Sequence, residues 1–393
     1  MSQQLINRSD DLKRLRDEGY DIEIRSSYLL LKHVPYVNSR KEVKYGILVS
    51  DLNLAGDMTT SPGSHVAYFS GDHPCDKNGA EMVKIKHQSK QKSLDSNLIV
   101  HHSFSSKPQA GYKDYYEKMT TYATIISSPA MSLDSRVTAT PFTVIESEGE
   151  SVFKYIDTAS SRSGINEVSR KLEIGKVGIV GLGGTGSYIL DLTAKTPIGE
   201  IHLFDGDLFL THNAFRAPGA ASIGELREKQ YKVDYFRHLY AKMRRNIVAH
   251  NVYVDASNVH LLHEMDFIFL CLDKGKAKRF IIDSLEETDI SFIDVGIGVE
   301  HTDDTLCGIV RVTTSTAVKR DHVIGKNRIP FTDERENAYS RNIQIADLNA
   351  LNAALAVVKW KKLYGFYGDL EKEHFSAYAI DGNLLINEDQ REE

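Results

Sequence analysis

Apolar and polar residues follow two periods in turn along this chain. Up to about residue 145 they tend to alternate, the spacing of half-buried strands. Asp21 to Val34, Lys41 to Leu52 and His65 to Phe69 read as strands separated by turn residues. A helix is predicted before them over Asp10 to Glu18, stopped by Gly19. Another follows over Tyr112 to Ile126, where Tyr115, Met119 and Tyr122 share a face. The order helix, β-meander, helix predicts a smaller α+β domain over residues 1–145. The run Ile145-Glu-Ser-Glu-Gly-Glu-Ser151 is polar and acidic, and 146–164 reads as a linker.

From residue 165 the pattern changes. Lys176–Val180, Glu200–Phe204, Asn251–Val254, Phe267–Leu272 and Ser291–Val295 are short apolar runs that read as strands. Helical segments fall between them at about 185–195, 224–245 and 274–286. Such alternation predicts an α/β domain over 165–393, a doubly wound, mostly parallel sheet with helices on both faces. Gly308–Thr313 suggests a further, antiparallel strand. A long helix is predicted over Ile343 to Tyr364, with Ile345, Leu348, Leu351, Leu355 and Val358 on its apolar face. The tail from Ala377 to Asn387 reads as one strand bent at Asp381-Gly382.

Chemistry concentrates where the first of these strands ends. Val177 to Val180 runs into Gly181, Gly183 and Gly186, with Gly184 between them, in the pattern G-x-G-x-x-G. Glycines there let phosphate oxygens approach the free amides at a helix N-terminus. Asp205 ends the next strand, where a carboxylate accepts hydrogen bonds from ribose hydroxyls, and Asp207 follows it. Asn213, Arg216 and Lys229 then supply one polar donor and two fixed cations. A pyrophosphate that is merely held needs few cations, whereas one that leaves during a reaction needs its growing charge neutralised. The set therefore favours ATP over a dinucleotide. Asp273, after the strand 267–272, is the candidate carboxylate for a magnesium ion on the triphosphate.

Asp205, Asn213, Arg216 and Lys229 stand at offsets of eight, eleven and twenty-four, and in this the chain resembles the ThiF/MoeB/HesA superfamily of adenylating enzymes. The resemblance covers about residues 165–365. It implies a Rossmann-like adenylation domain that binds ATP and Mg2+. The implied reaction is attack on the α-phosphate by the C-terminal glycine carboxylate of a ubiquitin-like, β-grasp carrier protein. An acyl-adenylate forms and pyrophosphate leaves. Positioning and charge neutralisation carry such a step: Arg216 and Lys229 on the phosphates, Asn213 orienting them, Asp205 on the ribose and Asp273 on magnesium. Family members add an arginine ahead of the first strand, often across a homodimer, and Arg162 or Arg170 fills that place. A homodimer is accordingly expected.

The chain also departs from the family. Lys274 stands where an Asn usually follows the magnesium-side aspartate, and Arg279 is shifted by one residue. Cys75, Cys271 and Cys307 form no C-x-x-C, so no zinc is expected. The crossover loop, about Thr313 to Arg341, contains no acceptor cysteine. The acceptor is then a partner, such as a conjugating protein, or a serine. His101-His-Ser-Phe-Ser-Ser-Lys-Pro108 sets histidines beside Ser103, Ser105 and Ser106 as candidate acceptors, with Ser105 the central one. The order of elements in 1–145 is also that of a conjugating-enzyme-like fold.

Composition adds limits. A net charge of −6 gives no basis for a nucleic-acid partner. No apolar stretch approaches the roughly 18 residues that span a bilayer, and the first residues lack the apolar region of a signal peptide. With few cysteines, this predicts a cytoplasmic protein with no membrane partner. Lys84, Lys86, Lys90 and Lys92 read as a solvated face. Three functions remain in view: activation of a ubiquitin-like protein, in a bacterial conjugation or antiviral-defence setting; a non-catalytic scaffold binding such a protein; and a related enzyme acting on a tRNA base or small molecule.

Overall fold

The structure, a computed structural model, describes residues 2–147, 151–331 and 343–390. The chain divides into two compact units, Met1–Glu148 with Ile156–Gly164, and Gly149–Tyr155 with Ile165–Glu393.

The first unit opens with helices α1 (Ser2–Arg8) and α2 (Asp10–Asp17), the latter followed by Gly19 at φ +96°. Strands β1 (Asp21–Arg25), β2 (Tyr28–Val37), β3 (Val43–Asp51), β6 (Val66–Ser70), β7 (Lys86–Asp95) and β8 (Leu98–Ser105) make one antiparallel sheet, ordered β1-β2-β3-β6-β8-β7. A small hairpin, β4 (Leu54–Ala55) and β5 (Met58–Thr59), stands apart from it. Helices α3 (Tyr115–Leu133) and α4 (Thr158–Arg162) complete the unit. The single strand expected over 21–34 is a hairpin, because Ser26 adopts φ +53° and turns the chain. Hairpin β7–β8 falls where no strand was expected; the lysines do lie on a solvated face, as read, but that face belongs to a strand. It is an exposed edge strand, where lysines discourage pairing with other chains. The stretch read as linker carries α4. Asp157 caps it, and Ser161 bonds to Asp17 and to Arg16.

The second unit starts with α5 (Asn166–Arg170) and then alternates β9 (Lys176–Val180), α6 (Gly184–Thr193), β10 (Glu200–Phe204), α7 (Thr211–Ala214), α8 (Ile223–Glu228), α9 (Lys232–Tyr240), β11 (Ile247–His250), β12 (Phe267–Leu270), α10 (Gly275–Glu286) and β13 (Ser291–Thr302). Strands β11-β10-β9-β12-β13 are parallel. After them come β14 (Thr305–Ser315), α11 (Asp321–Gly325), α12 (Ala346–Leu363), β15 (Phe375–Ala379) and β16 (Leu384–Glu388), whose strands extend the sheet antiparallel. Burial on both faces explains the uninterrupted apolar runs. Val177, Ile179, Leu203 and Phe269 pack with residues of α6 and α12, while Val180, Phe204, Ile268 and Leu270 pack with Ile281 and Leu285 of α10.

Four expectations shift. The strand expected at 251–254 lies at 247–250, and Val252 and Val254 pack from the following segment. The helix expected at 224–245 breaks into α8 and α9 at Lys229, which adopts φ +48°. The tail is a hairpin rather than one strand. Helix α12 buries Asn349, Asn352, Ala353, Ala356, Val357 and Trp360 with Leu348, while Val358 is 40% exposed. Asn349 on this face lies against Gly184 and Thr185 at the start of α6. Residues 332–341 of the expected crossover loop and 148–150 of the expected linker lie outside the described residues. Among the described residues, no helix is long and apolar enough to cross a membrane.

Candidate functional site

The order of the parallel strands puts a switch point between β9 and β12: the chain leaves β9 toward β10 on one side and returns to β12 on the other. Loops at the carboxyl ends of such strands border a crevice, and the glycine loop after β9 and Asp205 after β10 stand there. Gly181 sits at φ +91°, which glycine adopts without strain, and its amide donates to Phe204 O at 2.8 Å. A Cβ on Gly186 would lie 1.9 Å from Gly181 O, and one on Gly184 would lie 2.1 Å from Asn349 Nδ2. Gly183 differs. A Cβ there meets nothing within 4 Å, and no side chain caps α6. The first amides of α6 therefore border space of the kind a phosphate fills.

Asp205 is buried. Its carboxylate accepts from Leu182 N at 2.7 Å and Asp207 N at 2.8 Å, so it first of all fixes the glycine loop. A carboxylate has about four lone-pair sites, which leaves capacity for ribose hydroxyls. The buried Lys232 at the start of α9 lies 3.4 Å from Asp205 and 2.7 Å from Asp207. Burial opposes the charge of Asp207, but hydrogen bonds from Lys232 and Tyr253 outweigh it and hold the carboxyl below its usual range. Donation to Asp207 in turn raises Tyr253 to about 12. The Tyr253 ring packs on Gly206, and Lys274 Nζ lies 5.3 Å from the ring centre.

Asn213 is 3% exposed. Its Oδ1 accepts from Leu210 N at 2.9 Å, while its Nδ2 donor has no partner within the protein. The Nε of Arg216 is likewise buried and unpartnered. Lys229 is exposed at the C-cap of α8. Among the described residues no carboxylate forms an ion pair with Arg216 or Lys229, and the two buried donors are open to a water or a ligand. Asp273 is exposed just beyond β12. Among the described residues no group of three or more His, Cys, Asp or Glu is arranged to hold a metal. A magnesium ion carried on a triphosphate needs only one or two carboxylates, and Asp273 is of the right kind.

The other candidates are placed elsewhere. Arg170 ends α5, exposed and paired with Glu167 on its own helix at 2.8 Å. Arg162 is exposed on α4 of the first unit. Arg279 pairs with Asp283 of α10. Cys271, directly after β12, lies beneath the glycine loop, and burial pushes its thiol well above the usual range. Ser105 ends β8, not a loop, and no histidine bonds to its hydroxyl among the described residues. Sequence reading missed Lys232, Tyr253 and Asn349. Lys232 was hidden in an expected long helix, and the other two meet the loop only through folding. Asn349 Oδ1 accepts from Thr185 Oγ at 2.9 Å and fixes the start of α6. A separate cavity of about 470 Å³, bordered by Phe267, Ser291, Tyr364 and His374, opens at the opposite ends of β12 and β13.

Residues 159–318 match the ThiF family. The chain carries a ThiF-family domain. Residues 10–158 match a domain of unknown function, DUF6791. The ThiF-bearing chain is 26% identical over 129 residues to the tRNA threonylcarbamoyladenosine dehydratase of Haemophilus influenzae, covering 32% of this chain and 49% of that protein. It thus spans about half the length of that curated relative. Similar solved structures include E. coli MccB with ATP (18% identity, TM-score 0.45, 57% of this chain and 66% of that one). Another is MccB with AMPCPP and MccA (18%, 0.46, 60% and 72%). A third is PaaA (18%, 0.44, 57% and 75%).

Proposed function

We infer that the ThiF domain adenylates a carboxylate with ATP, and that this carboxylate is the C-terminal glycine of a ubiquitin-like carrier protein. The observation that carries the reading is the crevice chemistry. An open phosphate face at Gly183 belongs to the same second unit as the unsatisfied donors of Asn213 and Arg216 and a cation, Lys229, with no ion pair among the described residues. A site that only held a nucleotide would gain little from two uncompensated cations, whereas pyrophosphate departure needs them. Asp205 would hold the ribose, with Asp207 beside it. Asp273 would hold magnesium, which when bound supplies further charge neutralisation on the phosphates. In this reading a homodimer lends Arg162 or Arg170, residues 1–145 serve a conjugating step, and the setting is a cytoplasmic, bacterial conjugation or antiviral-defence pathway.

The test is exchange of labelled pyrophosphate into ATP by the full chain, with candidate carriers added one at a time. Carrier-dependent exchange is expected. Nucleotide binding without exchange under any condition would leave the protein a scaffold. A second reading follows from the dehydratase relative, whose name specifies a modified tRNA base. It predicts exchange stimulated by tRNA and not by any protein carrier.

A further inference from the structure

Hairpin β7–β8 of the first unit brings together residues that the nucleotide chemistry does not use. Lys86 lies opposite Phe104 and Gln88 opposite Ser103, so β7 advances two residues while β8 advances one. His87 is the extra residue of this β-bulge, a device that re-aims a side chain. Its Nδ1 meets Ser103 Oγ at 2.9 Å. The serine residue is 7% exposed, while His87 is exposed to solvent. A hydroxyl partly withdrawn from water, bonded to an imidazole in contact with water, is the arrangement by which a base takes a serine proton. The neighbouring serines lack it. Ser89 meets His102 Nδ1 at 3.1 Å but is itself exposed, so water competes for its hydroxyl. Ser106 has its backbone N–H and C=O held by Tyr122 and Tyr112, and among the described residues no histidine bonds to Ser105.

We propose that Ser103 is a nucleophile with His87 as its base, and that it accepts acyl groups from activated carboxyl compounds. With the adenylation reading above as the source of the acyl group, the step balances as follows. Ser103 Oγ bonds to the acyl carbon, the bond from that carbon to the phosphate oxygen of AMP breaks, and AMP leaves. The hydroxyl proton passes to His87 Nδ1. The resulting ester keeps the acyl carbon open to a second nucleophile.

The full chain, without ATP, is treated with a biotinylated fluorophosphonate, which phosphonylates activated serines with loss of fluoride, and the adduct is mapped by peptide mass. Labelling is expected at Ser103. It is lost in Ser103→Ala, retained in Ser89→Ala and Ser105→Ala, and slowed about 100-fold in His87→Ala, the lower end of general-base contributions. His87 is exposed, so that variant tests the pair without disturbing the core. A chain unlabelled at Ser103, or labelled equally fast in His87→Ala, overturns the proposal. Because the probe needs no nucleotide, this failure is separate from a failure of pyrophosphate exchange.

Discussion

At the scale of single residues, the glycines of the loop divide by what lies beside them. Gly186 faces Gly181 O at 1.9 Å, so Gly186→Ala has no room. It is expected to cost about 1–3 kcal/mol through overpacking, seen as a lowered thermal midpoint. Gly183 faces open space, so Gly183→Ala should melt like the parent while losing ATP affinity, measured by calorimetric titration. Equal effects of the two substitutions on stability would contradict this division. Arg216 and Lys229 make a second contrast. Among the described residues neither forms an ion pair, so Arg216→Ala and Lys229→Ala should leave the midpoint nearly unchanged. Each should reduce carrier-dependent pyrophosphate exchange on the order of 100-fold, the loss typical of one group that stabilises transition-state charge. Lys229 carries a further cost: a left-handed conformation in a residue with a Cβ costs on the order of 1–3 kcal/mol. That strain ends α8 at the lysine and turns the chain into the Phe209–Gln230 backbone bond.

At the scale of elements, buried charges lock helices to the sheet next to the crevice. Asp294 of β13 is fully buried, with Lys278 of α10 at 2.7 Å and Arg311 of β14 at 2.8 Å. Removing Lys278 leaves Asp294 with Arg311 alone and takes away one charge-assisted contact, so Lys278→Met is expected to destabilise by about 2 kcal/mol, read from urea denaturation. Substituting the exposed Lys276 of the same helix serves as the control and should have little effect. The close packing of α12 on α6 is the other lock. Gly184 lies against Asn349, and Thr185 donates to it. The helix after the crossover thereby holds the start of the glycine-loop helix, although the two are far apart in sequence.

At the scale of the whole molecule, the first unit is completed by a segment that follows it in the chain. Asp17 accepts from Ser161, and Arg16 donates to the same hydroxyl. A fragment of residues 1–164 is therefore expected to melt higher than one of 1–148, compared by circular dichroism. Acid should weaken both units. Burial, with His73 and His101 nearby, pushes His102 down to about 4, and burial, with Lys359 nearby, does the same for His374. Both values lie below that of an unfolded histidine, about 6.5. The unfolded chain therefore takes up protons first as pH falls, while the folded one resists until about pH 4. The stabilisation is complete above about pH 6.5 and declines toward pH 4. The thermal midpoint should fall over that window, and His374→Gln should flatten the decline for the second unit. A midpoint constant from pH 7 to 4.5 would count against this assignment.

Periodicity and glycine spacing alone determined the parallel sheet, the loop at Gly181 to Gly186 and the run of polar candidates after Asp205. Those signals are local: a buried strand must be apolar, and a tight strand–helix turn must be glycine-rich. Other features were not legible because their partners are distant in sequence. Lys232 is defined by Asp205 and Asp207, Tyr253 by Asp207, Asn349 by Gly184, and His87 by a serine on the neighbouring strand. The break at Lys229 and the strand beneath the solvated lysines were not foreseen because side-chain pattern does not encode a backbone turn or a sheet edge. Tertiary structure decided these, since a buried polar group acquires its role only from the partner that satisfies it.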